Sequence, residues 1–418
     1  MFYIIETPQQ VNSFLDKGIK SAFVQIIPLN DNVHPILGDI SLLYIKPYIG
    51  KGFIVTHTHS EALSLNITHI NAILDSLNEV YVIDKKQFLH FFDIKEHKHI
   101  YDLKLIDKNI QSSNKVVDHF YKKQGNNLKI NTIIPLTKHY ERCEELFNSV
   151  KHLIGEKPNL LYNNFGVEVF KNIEKEGIEI NSNFYSYFKL DNPSFSIKND
   201  LIYTNYNLYT TTRRPSNSFN NVNFAALNKN SGCKRSFIPK NDVFYELDIS
   251  SYHPSLIAQL INYDFKGENI HDHFAKLYGV SYDEAKELTF KQIYGNIFPK
   301  YKKLEYFVKV QEFIDEIWTV YLDEEKYTTL SGVEFKGDLT NNKLFNYIIQ
   351  ELETSLNIYF IREIQKILEN KKSKLVLYTY DSFTIDLADE ERYLVYEINE
   401  LFIKKNLQTK IKEKTNLE

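Results

Sequence analysis

The first 115 residues alternate short apolar runs with stretches of helical periodicity. A helix is predicted over residues 8–17, because Thr7 is a suitable N-cap and Pro8 suits the first turn; a second is predicted over 61–77. The predicted strands are residues 21–28, 41–45, 52–56 and 80–83. Alternation of this kind predicts an α/β layered domain.

The middle of the chain has weaker patterns. The polar run over residues 122–129 (KKQGNNLK) predicts a domain boundary. Helical periodicity follows over residues 137–155 and 166–176. Residues 182–218 are rich in Asn, Ser, Tyr and Thr, and they predict strands and loops.

Two later segments each end a predicted strand with an aspartate. Residues 243–248 (VFYELD) predict a short strand that ends at Asp248, and Pro254 then suits the first turn of a helix. Residues 374–387 (KLVLYTYDSFTIDL) predict a hairpin with Asp381 and Ser382 at the bend. If both strands belong to one sheet, the two aspartates could meet at its edge.

Converging aspartates suit phosphoryl transfer from a nucleotide, which uses two divalent cations roughly 4 Å apart. Mg²⁺ prefers carboxylate oxygens and takes its other ligands from water and substrate phosphates. Taken singly, Asp248 and Asp381 have a simpler interpretation as ordinary strand-end or turn residues. Only the sequence between them favours the catalytic interpretation.

A predicted helix between the two aspartates carries residues that suit a nucleoside triphosphate. Ser281 and Glu284 form a capping box at its start. Lys286, Phe290 and Tyr294 follow at i, i+4 and i+8 and therefore share one face. A cation in line with two aromatic rings could meet phosphate, sugar and base. The alternative is an amphipathic helix that buries both rings.

Composition narrows the class of protein. The chain has 418 residues, 43% of them hydrophobic, which is enough for two or more domains with substantial cores. Two cysteines, Cys143 and Cys233, are too few for a disulfide framework or a four-ligand zinc site. The sequence shows no apolar run long enough to cross a bilayer and no evident signal peptide. We therefore expect a soluble intracellular protein.

Net charge is −4, so a nucleic-acid partner would need a local basic surface. Residues 204–241 contain no acidic residue and include Arg213, Arg214, Lys229, Lys234, Arg235 and Lys240. On charge alone, a solvated loop with a chance cluster of basic residues is the slightly better interpretation of this segment.

Taken in order, these motifs resemble those of the family A DNA polymerases, typified by bacterial DNA polymerase I. The segments that carry the resemblance are Thr212-Arg213-Arg214-Pro215-Ser216 with Asn221-Val222-Asn223, Lys234-Arg235-Ser236-Phe237-Ile238-Pro239, Asp248-Ile249-Ser250-Ser251-Tyr252-His253, Ile270-His271, Ala285-Lys286 with Phe290 and Tyr294-Gly295, Asn346 with Gln350, and Tyr380-Asp381-Ser382. Each match is short, and their shared order is what makes the resemblance specific.

The resemblance implies an α+β fold: a right-hand polymerase with palm, fingers and a reduced thumb, preceded by a ribonuclease H-like α/β domain. The implied domains are 1–115 as a degenerate 3′–5′ exonuclease domain, 116–200 as the reduced thumb or connector, 201–256 with 336–418 as the palm, and 257–335 as the fingers. The short thumb implies a weak grip on duplex DNA.

The resemblance also implies roles for individual residues. The catalytic residues would be Asp248, Asp381 and Lys286, and the metal ligands Asp248, Ile249 and Asp381. The nucleotide would contact His271, Lys286, Phe290, Tyr294 and His253. The DNA would contact Arg214, Asn221, Asn223, Lys234, Arg235, Asn346 and Gln350. Two Mg²⁺ ions, with Mn²⁺ as a substitute, would serve as cofactors.

Several positions depart from the family pattern. Ser382 stands where the family has a glutamate beside the metals, so one carboxylate of the family pattern is missing and a third acidic ligand is not identified. His253 replaces the glutamate that excludes ribose, so sugar discrimination is open too. Tyr282 stands at a usual arginine, and Lys291 replaces a glycine. The spacing from Asp248 to Ser255 also echoes family B polymerases.

The amino-terminal domain lacks the acids of an exonuclease in the strand at residues 22–27 (AFVQII). Asp84 and Asp102 could be remnants of later exonuclease carboxylates or plain structural residues. We therefore expect no proofreading.

Three other functions compete with that of a DNA polymerase. They are a single-subunit RNA polymerase of the same fold, a non-catalytic polymerase-like DNA-binding subunit, and an α/β enzyme unrelated to nucleic acid.

The partners implied are primer–template DNA and deoxynucleoside triphosphates. A helicase, a primase or a processivity factor could join them, and a monomer without membrane contact is expected. The compact design suggests a virus or a mobile element as the source, with the host cytoplasm as the location.

Overall fold

A computed structural model describes residues 2–30, 33–92, 94, 99–111, 131–188, 197–217 and 222–418. The chain divides into two compact units. Unit 1 comprises Met1–Tyr209 and Asn217–Asn223, and unit 2 comprises Thr210–Ser216 and Phe224–Glu418. Within the described ranges, no helix is both long and apolar enough to cross a membrane.

Unit 1 has helices on both faces of a six-stranded sheet. Its elements up to Val150 are β1 Tyr3–Ile5, α1 Pro8–Leu15, β2 Ser21–Pro28, β3 Ile40–Pro47, β4 Phe53–Thr56, α2 Ile67–Ser76, β5 Glu79–Val82, α3 Lys85–Phe91, β6 His99–Asp102, α4 Leu103–Gln111 and α5 Leu136–Val150. Then follow a π-helix Leu161–Gly166, α6 Val167–Glu176, β7 Ile178–Ile180, α7 Phe184–Tyr187, β8 Ile197–Lys198, β9 Leu201–Ile202 and β10 Tyr206–Asn207. Short 3₁₀ turns cover Asn131–Ile133 and Lys151–Leu153.

The order of the sheet is β1-β4-β3-β2-β5-β6. Strands β2, β3 and β4 form an antiparallel meander, and β5 and β6 continue the sheet parallel to β2. Side chains alternate between two cores, so that Val24 and Ile26 belong to one hydrophobic cluster and Phe23 and Ile27 to the other. The α/β layered domain predicted from the sequence is therefore confirmed.

The predicted strands and helices of this region are confirmed apart from their ends. Helix α1 begins after Thr7, whose side chain accepts a hydrogen bond from the N–H of Gln10. The helix predicted over 61–77 begins only at Ile67, because Asn66 caps it. The periodicity before Asn66 was therefore misleading, and residues 61–66 form an irregular segment.

Glu174 of α6 is the centre of a buried polar cluster in unit 1. Lys86 Nζ lies 2.5 Å from its Oε1, and His90 Nε2 lies 2.7 Å from its Oε2. His34 Nε2 is 4.0 Å from the same carboxylate. The two histidines and Glu174 are residue types that bind metal ions, and their ligand atoms lie within 4.8 Å of one another. The ammonium of Lys86 already neutralises the carboxylate, however, and argues against a cation there.

Acid is expected to destabilise unit 1 through His34. Burial lowers the pKa of His34 to about 4, with Glu174 opposing the shift and His90 and Lys86 adding to it. As the pH falls from the ordinary value of 6.5 to about 4, the unfolded chain binds a proton that the folded chain does not. The free energy of unfolding should therefore fall by up to about 3 kcal/mol over this window.

Urea unfolding at several pH values checks this expectation. His34→Gln should remove that part of the pH dependence, whereas His152→Gln, at an exposed position, should leave it unchanged. Equal pH dependence in the two variants would show that His34 is not the cause.

Unit 2 is built on a four-stranded antiparallel sheet with helices packed against one face. Its elements are β12 Phe237–Ile238, β13 Val243–Ile249, α8 Tyr252–Leu260, α9 Ile270–Tyr278, α10 Tyr282–Tyr294, α11 Glu305–Glu324, β14 Lys326–Thr328, β15 Glu334–Lys336, α12 Asn341–Ile367, β16 Lys374–Thr379, β17 Ser382–Leu387, α13 Leu394–Ile403 and β18 Thr409–Lys414. Strand β11 Ser216–Asn217 lies at the boundary between the units, and 3₁₀ turns cover Phe224–Ala226, Lys229–Ser231, Cys233–Ser236 and Asp389–Glu391.

The order of this sheet is β16-β17-β13-β18. On its inner face, Phe383 of β17 packs against Phe402 of α13, which stacks on Phe360 of α12 with ring centroids 4.3 Å apart. The outer face carries polar and charged side chains, among them Glu246 and Asp248 of β13. A sheet that is apolar on one face and polar on the other leaves the polar face for a ligand.

Candidate active site

Asp248 and Asp381 lie side by side at one end of the sheet of unit 2. The register partner of Asp248 on β17 is Ser382. Asp381 directly precedes that strand, and its carbonyl accepts a hydrogen bond from the N–H of Ile249 at 2.8 Å. The predicted hairpin is confirmed, but its two-residue turn is Tyr380-Asp381, one residue earlier than expected. Tyr380 has φ 61°, a left-handed conformation that lets so short a turn close.

The charge of Asp248 destabilises the charged form of Asp381. Partial burial raises the pKa of Asp381, and the nearby charge of Asp248 raises it further. Burial also raises the pKa of Asp248, against the opposing charges of Lys412, Lys410 and Lys286. Two anions held close together in this way are stabilised by a divalent cation.

The donor chemistry of this pair fits Mg²⁺. Both side chains offer hard carboxylate oxygens, which this ion prefers. The side chain of Ile249 is buried in the inner core, so only its backbone carbonyl could serve as a further ligand. Ser382 is also buried and supplies a hydroxyl where the family pattern has an acid.

Helix α10 presents the row of side chains that the sequence singled out. The residues that it buries are Ala285, Thr289, Gln292 and Ile293. On another face, Phe290 is half-buried and Tyr294 is 40% exposed, and their rings are parallel with centroids 6.0 Å apart. Lys286 is exposed in the same row. The alternative, an amphipathic helix that buries both rings, is therefore wrong, since neither ring is fully buried.

Positive charge gathers beside Asp248. Lys286 acts electrostatically both on Asp248 and on His271, and Lys410 does the same. Burial and, to a smaller extent, the charges of the two lysines lower the pKa of His271 to about 4, against the opposing charge of Asp272. The Nδ1 atom of His271 is buried without a hydrogen-bond partner among the described residues. A buried donor or acceptor of this kind is suited to a ligand.

His253 lies at the start of α8 within a chain of polar contacts. Its Nε2 is 2.7 Å from Oε2 of Glu353, and its Nδ1 contacts the hydroxyl of Tyr294. Arg214 Nη2 donates to Oε1 of Glu353 at 3.2 Å. The guanidinium of Arg214 also lies over the ring of Tyr380, 3.9 Å from its centroid.

Asn346 and Gln350 lie on the same helix, α12, and contact this network. Asn346 Nδ2 donates to the carbonyl of Tyr294 at 3.0 Å. Gln350 Oε1 accepts a hydrogen bond from the hydroxyl of Thr212 at 3.1 Å. Both amides are therefore fixed in orientation by neighbours.

Four further residues were predicted to contact DNA. Asn221 lies outside the described residues. Asn223 is exposed and belongs to unit 1. Lys234 and Arg235 lie on the 3₁₀ turn Cys233–Ser236 of unit 2, where Arg235 forms an ion pair with Glu418.

Three polar residues of this site were not predicted from the sequence: Glu353, Asn357 and Lys410. A signal for the first two was available, since polar residues recur along α12 at 346, 350, 353 and 357, which is the spacing of one helix face. Asn357 uses that position to join Tyr252 to the carbonyl of Tyr380. Lys410 is the register partner of Asp248 on β18, and no motif indicated that pairing.

No protein-family model and no curated protein sequence matches the chain. Its structure is nevertheless that of a right-hand polymerase domain of mixed α+β type. A solved structure described as the POL domain of Pol1 from M. smegmatis, in complex with DNA primer-template and dNTP, aligns with it at a TM-score of 0.71. The alignment covers 100% of this chain and 99% of that chain at 11% sequence identity. The fold class predicted from the sequence is thus confirmed.

Proposed function

We propose that the chain is a family A template-directed DNA polymerase, which adds deoxynucleotides to a primer 3′ end by two-metal-ion phosphoryl transfer. The observation that carries this proposal is the pair Asp248 and Asp381, with the charge of Lys286 acting on Asp248. The likeness in fold to a polymerase domain solved with primer-template and dNTP supports it.

The domain assignment belongs to the same proposal. Residues 201–256 and 336–418 would form the palm and residues 257–335 the fingers. Residues 116–200 would form the reduced thumb or connector, and residues 1–115 a degenerate exonuclease domain.

Asp248, Asp381 and the carbonyl of Ile249 would hold two Mg²⁺ ions, or Mn²⁺ as substitutes, which would activate the primer 3′-hydroxyl and stabilise the leaving pyrophosphate. Everything else in the mechanism is positioning and charge complementarity supplied by the chain. Lys286 and His271 would bind the triphosphate, His271 through its unpartnered Nδ1.

The nucleoside would lie against the parallel rings of Phe290 and Tyr294, which offer a flat apolar surface. His253 would border the sugar, since it contacts the hydroxyl of Tyr294 from the palm side. Closure of the fingers would then complete the site.

Arg214, Asn346 and Gln350 would contact the minor groove of the primer–template. Acceptors there are common to all base pairs, so donors such as a guanidinium and amide groups bind without regard to sequence. Asn221 and Asn223 would track the minor groove as well. Lys234 and Arg235 would contact the backbone phosphates, which makes affinity depend on salt.

A primer-extension assay tests this function and separates it from its alternatives. Extension with deoxynucleotides and a divalent cation is the expected result. Efficient extension with ribonucleotides alone would favour a single-subunit RNA polymerase. DNA binding without any extension would favour a non-catalytic accessory subunit.

The protein is not expected to shorten a mismatched primer. Asp102 is buried, and its oxygens accept hydrogen bonds from the N–H groups of Lys85 and Leu105 and from the hydroxyl of Tyr209. Asp84 caps α3 by accepting from the N–H of Gln87. Both acids thus have structural partners in place of metal ions.

Pure protein incubated with a 3′-mismatched primer and Mg²⁺ checks this expectation. Shortening of the primer that is lost in Asp102→Ala would contradict it. Shortening that persists in that variant would point to a contaminating nuclease, which a gel-filtration profile of activity against protein would reveal.

Primer–template DNA and deoxynucleoside triphosphates are the proposed partners. A helicase or a primase could join them, and a processivity factor would supply the grip that a reduced thumb lacks. A viral or mobile-element source, and with it a host cytoplasmic location, stays a prediction of the sequence analysis.

A further inference from the structure

Glu353 is an acid on α12 that has no part in the mechanism described above. Its side chain is only 1% exposed. Burying a carboxylate costs several kcal/mol unless charged or hydrogen-bonding partners compensate. Glu353 has two such partners, and both reach it from other elements of unit 2.

The two partners are residues proposed to contact the substrates. His253 Nε2 is 2.7 Å from Oε2 of Glu353. Arg214 approaches the same carboxylate with Nη2 at 3.2 Å from Oε1 and Nε at 3.1 Å from Oε2. One buried carboxylate therefore joins the residue beside the sugar to a residue of the minor-groove surface.

His253 is held at both of its ring nitrogens, by Glu353 at Nε2 and by the hydroxyl of Tyr294 at Nδ1. An imidazole with only one of these contacts could rotate about its side-chain bonds. With both contacts, the ring has one orientation, and the edge that it presents to the nucleotide is fixed. A fixed edge is what steric exclusion of a single hydroxyl group requires.

We propose that Glu353 is a positioning residue that orients His253 and thereby sets the discrimination between deoxyribonucleotides and ribonucleotides. The proposal rests on the proposed polymerase function, because it assigns the sugar specificity of that same site. Glu353 does not touch the substrate; it acts through the imidazole ring.

The contact of Glu353 with Arg214 predicts a separate effect. Arg214 would bind DNA in the same way whichever sugar the incoming nucleotide carries. Loss of its contact with Glu353 should therefore change kcat/KM for dNTP and for rNTP by the same factor. The ratio of the two kcat/KM values would not change through Arg214, so a change in that ratio measures the effect that acts through His253.

The experiment compares single-nucleotide insertion of dNTP and rNTP by the full chain. The variants are Glu353→Gln, His253→Ala and the two combined. Glu353→Gln keeps the size of the side chain and removes its charge, and thermal unfolding shows whether it remains folded. Glu351→Gln is the matched control, because Glu351 is a buried acid of the same helix that contacts Ser331 instead of His253.

Glu353→Gln is expected to lower the ratio of kcat/KM for dNTP over rNTP about tenfold, and Glu351→Gln to leave it unchanged. In the double variant the ratio should equal that of His253→Ala alone, since Glu353 would have no ring left to position. A ratio unchanged in Glu353→Gln, or effects of the two substitutions that simply multiply, would overturn the proposal.

These outcomes separate the inference from the function on which it rests. If the wild-type chain inserts neither nucleotide, the polymerase proposal fails and the inference fails with it. If the wild-type chain polymerises and Glu353→Gln discriminates as well as wild type does, only the inference fails. If Glu353→Gln is unfolded, Glu353→Asp decides, because it keeps the charge but shortens the side chain by one methylene and so withdraws the carboxylate from Nε2 of His253. It should also lower the ratio, and an unchanged ratio in a folded Glu353→Asp protein would overturn the proposal.

Discussion

Asp381→Asn and Asp248→Asn are each expected to lower primer extension by roughly 1,000-fold or more while leaving affinity for primer–template DNA nearly unchanged. An asparagine has almost the shape of an aspartate but lacks its charge. Removing either charge would weaken the binding of both proposed cations, because the two carboxylates lie at one end of the same sheet.

Extension kinetics and a fluorescence-anisotropy measurement of DNA binding, made on the same preparations, check this expectation. Asp283→Asn is a suitable control, because Asp283 is an exposed acid in the first turn of α10. Substantial extension by either site variant would show that the pair is not catalytic. A large loss of DNA affinity would point instead to misfolding of unit 2.

Lys286→Met is expected to lower kcat/KM for dNTP by about 100- to 1,000-fold. The methionine keeps an unbranched apolar side chain of similar length but removes the ammonium group. The charge of Lys286 reaches both Asp248 and His271, so its loss would leave the proposed triphosphate site with less positive charge.

Lys291→Met provides the matched control on the same helix. Lys291 is exposed and forms an ion pair with Glu287 one turn earlier, so its contribution is that of a surface pair. We expect this control to behave like wild type in single-turnover insertion. If both variants lost kcat/KM equally, the positive charge of α10 as a whole would be responsible, and Lys286 would have no specific contact with the triphosphate.

Local pattern was sufficient to predict the strands that carry the two aspartates. Strand β13 and the β16–β17 hairpin follow from apolar runs bounded by turn residues, and the row Lys286, Phe290 and Tyr294 follows from helical spacing. These features depend on residues close together in sequence. Their convergence followed only from the resemblance.

The polar network around His253 could not be predicted in the same way. Glu353 comes 100 residues after His253, and nothing near either residue indicates the pairing. Where the family pattern has a glutamate, this chain has His253. An acid is still present next to that position, because Glu353 of α12 contacts the histidine ring. Likewise, the start of α2 was misplaced because a local cap at Asn66 outweighed the periodicity before it.

The position of β13 within its sheet has a consequence for synthesis of the protein. This strand pairs on one side with β17 and on the other with β18, which are separated from it by more than a hundred residues of chain. A ribosome must therefore translate as far as residue 414 before both edges of β13 have partners. Contacts so distant in sequence fold slowly, and an unpaired edge can associate with other nascent chains. Chaperone protection during translation is thus expected to matter for this strand, which carries Asp248.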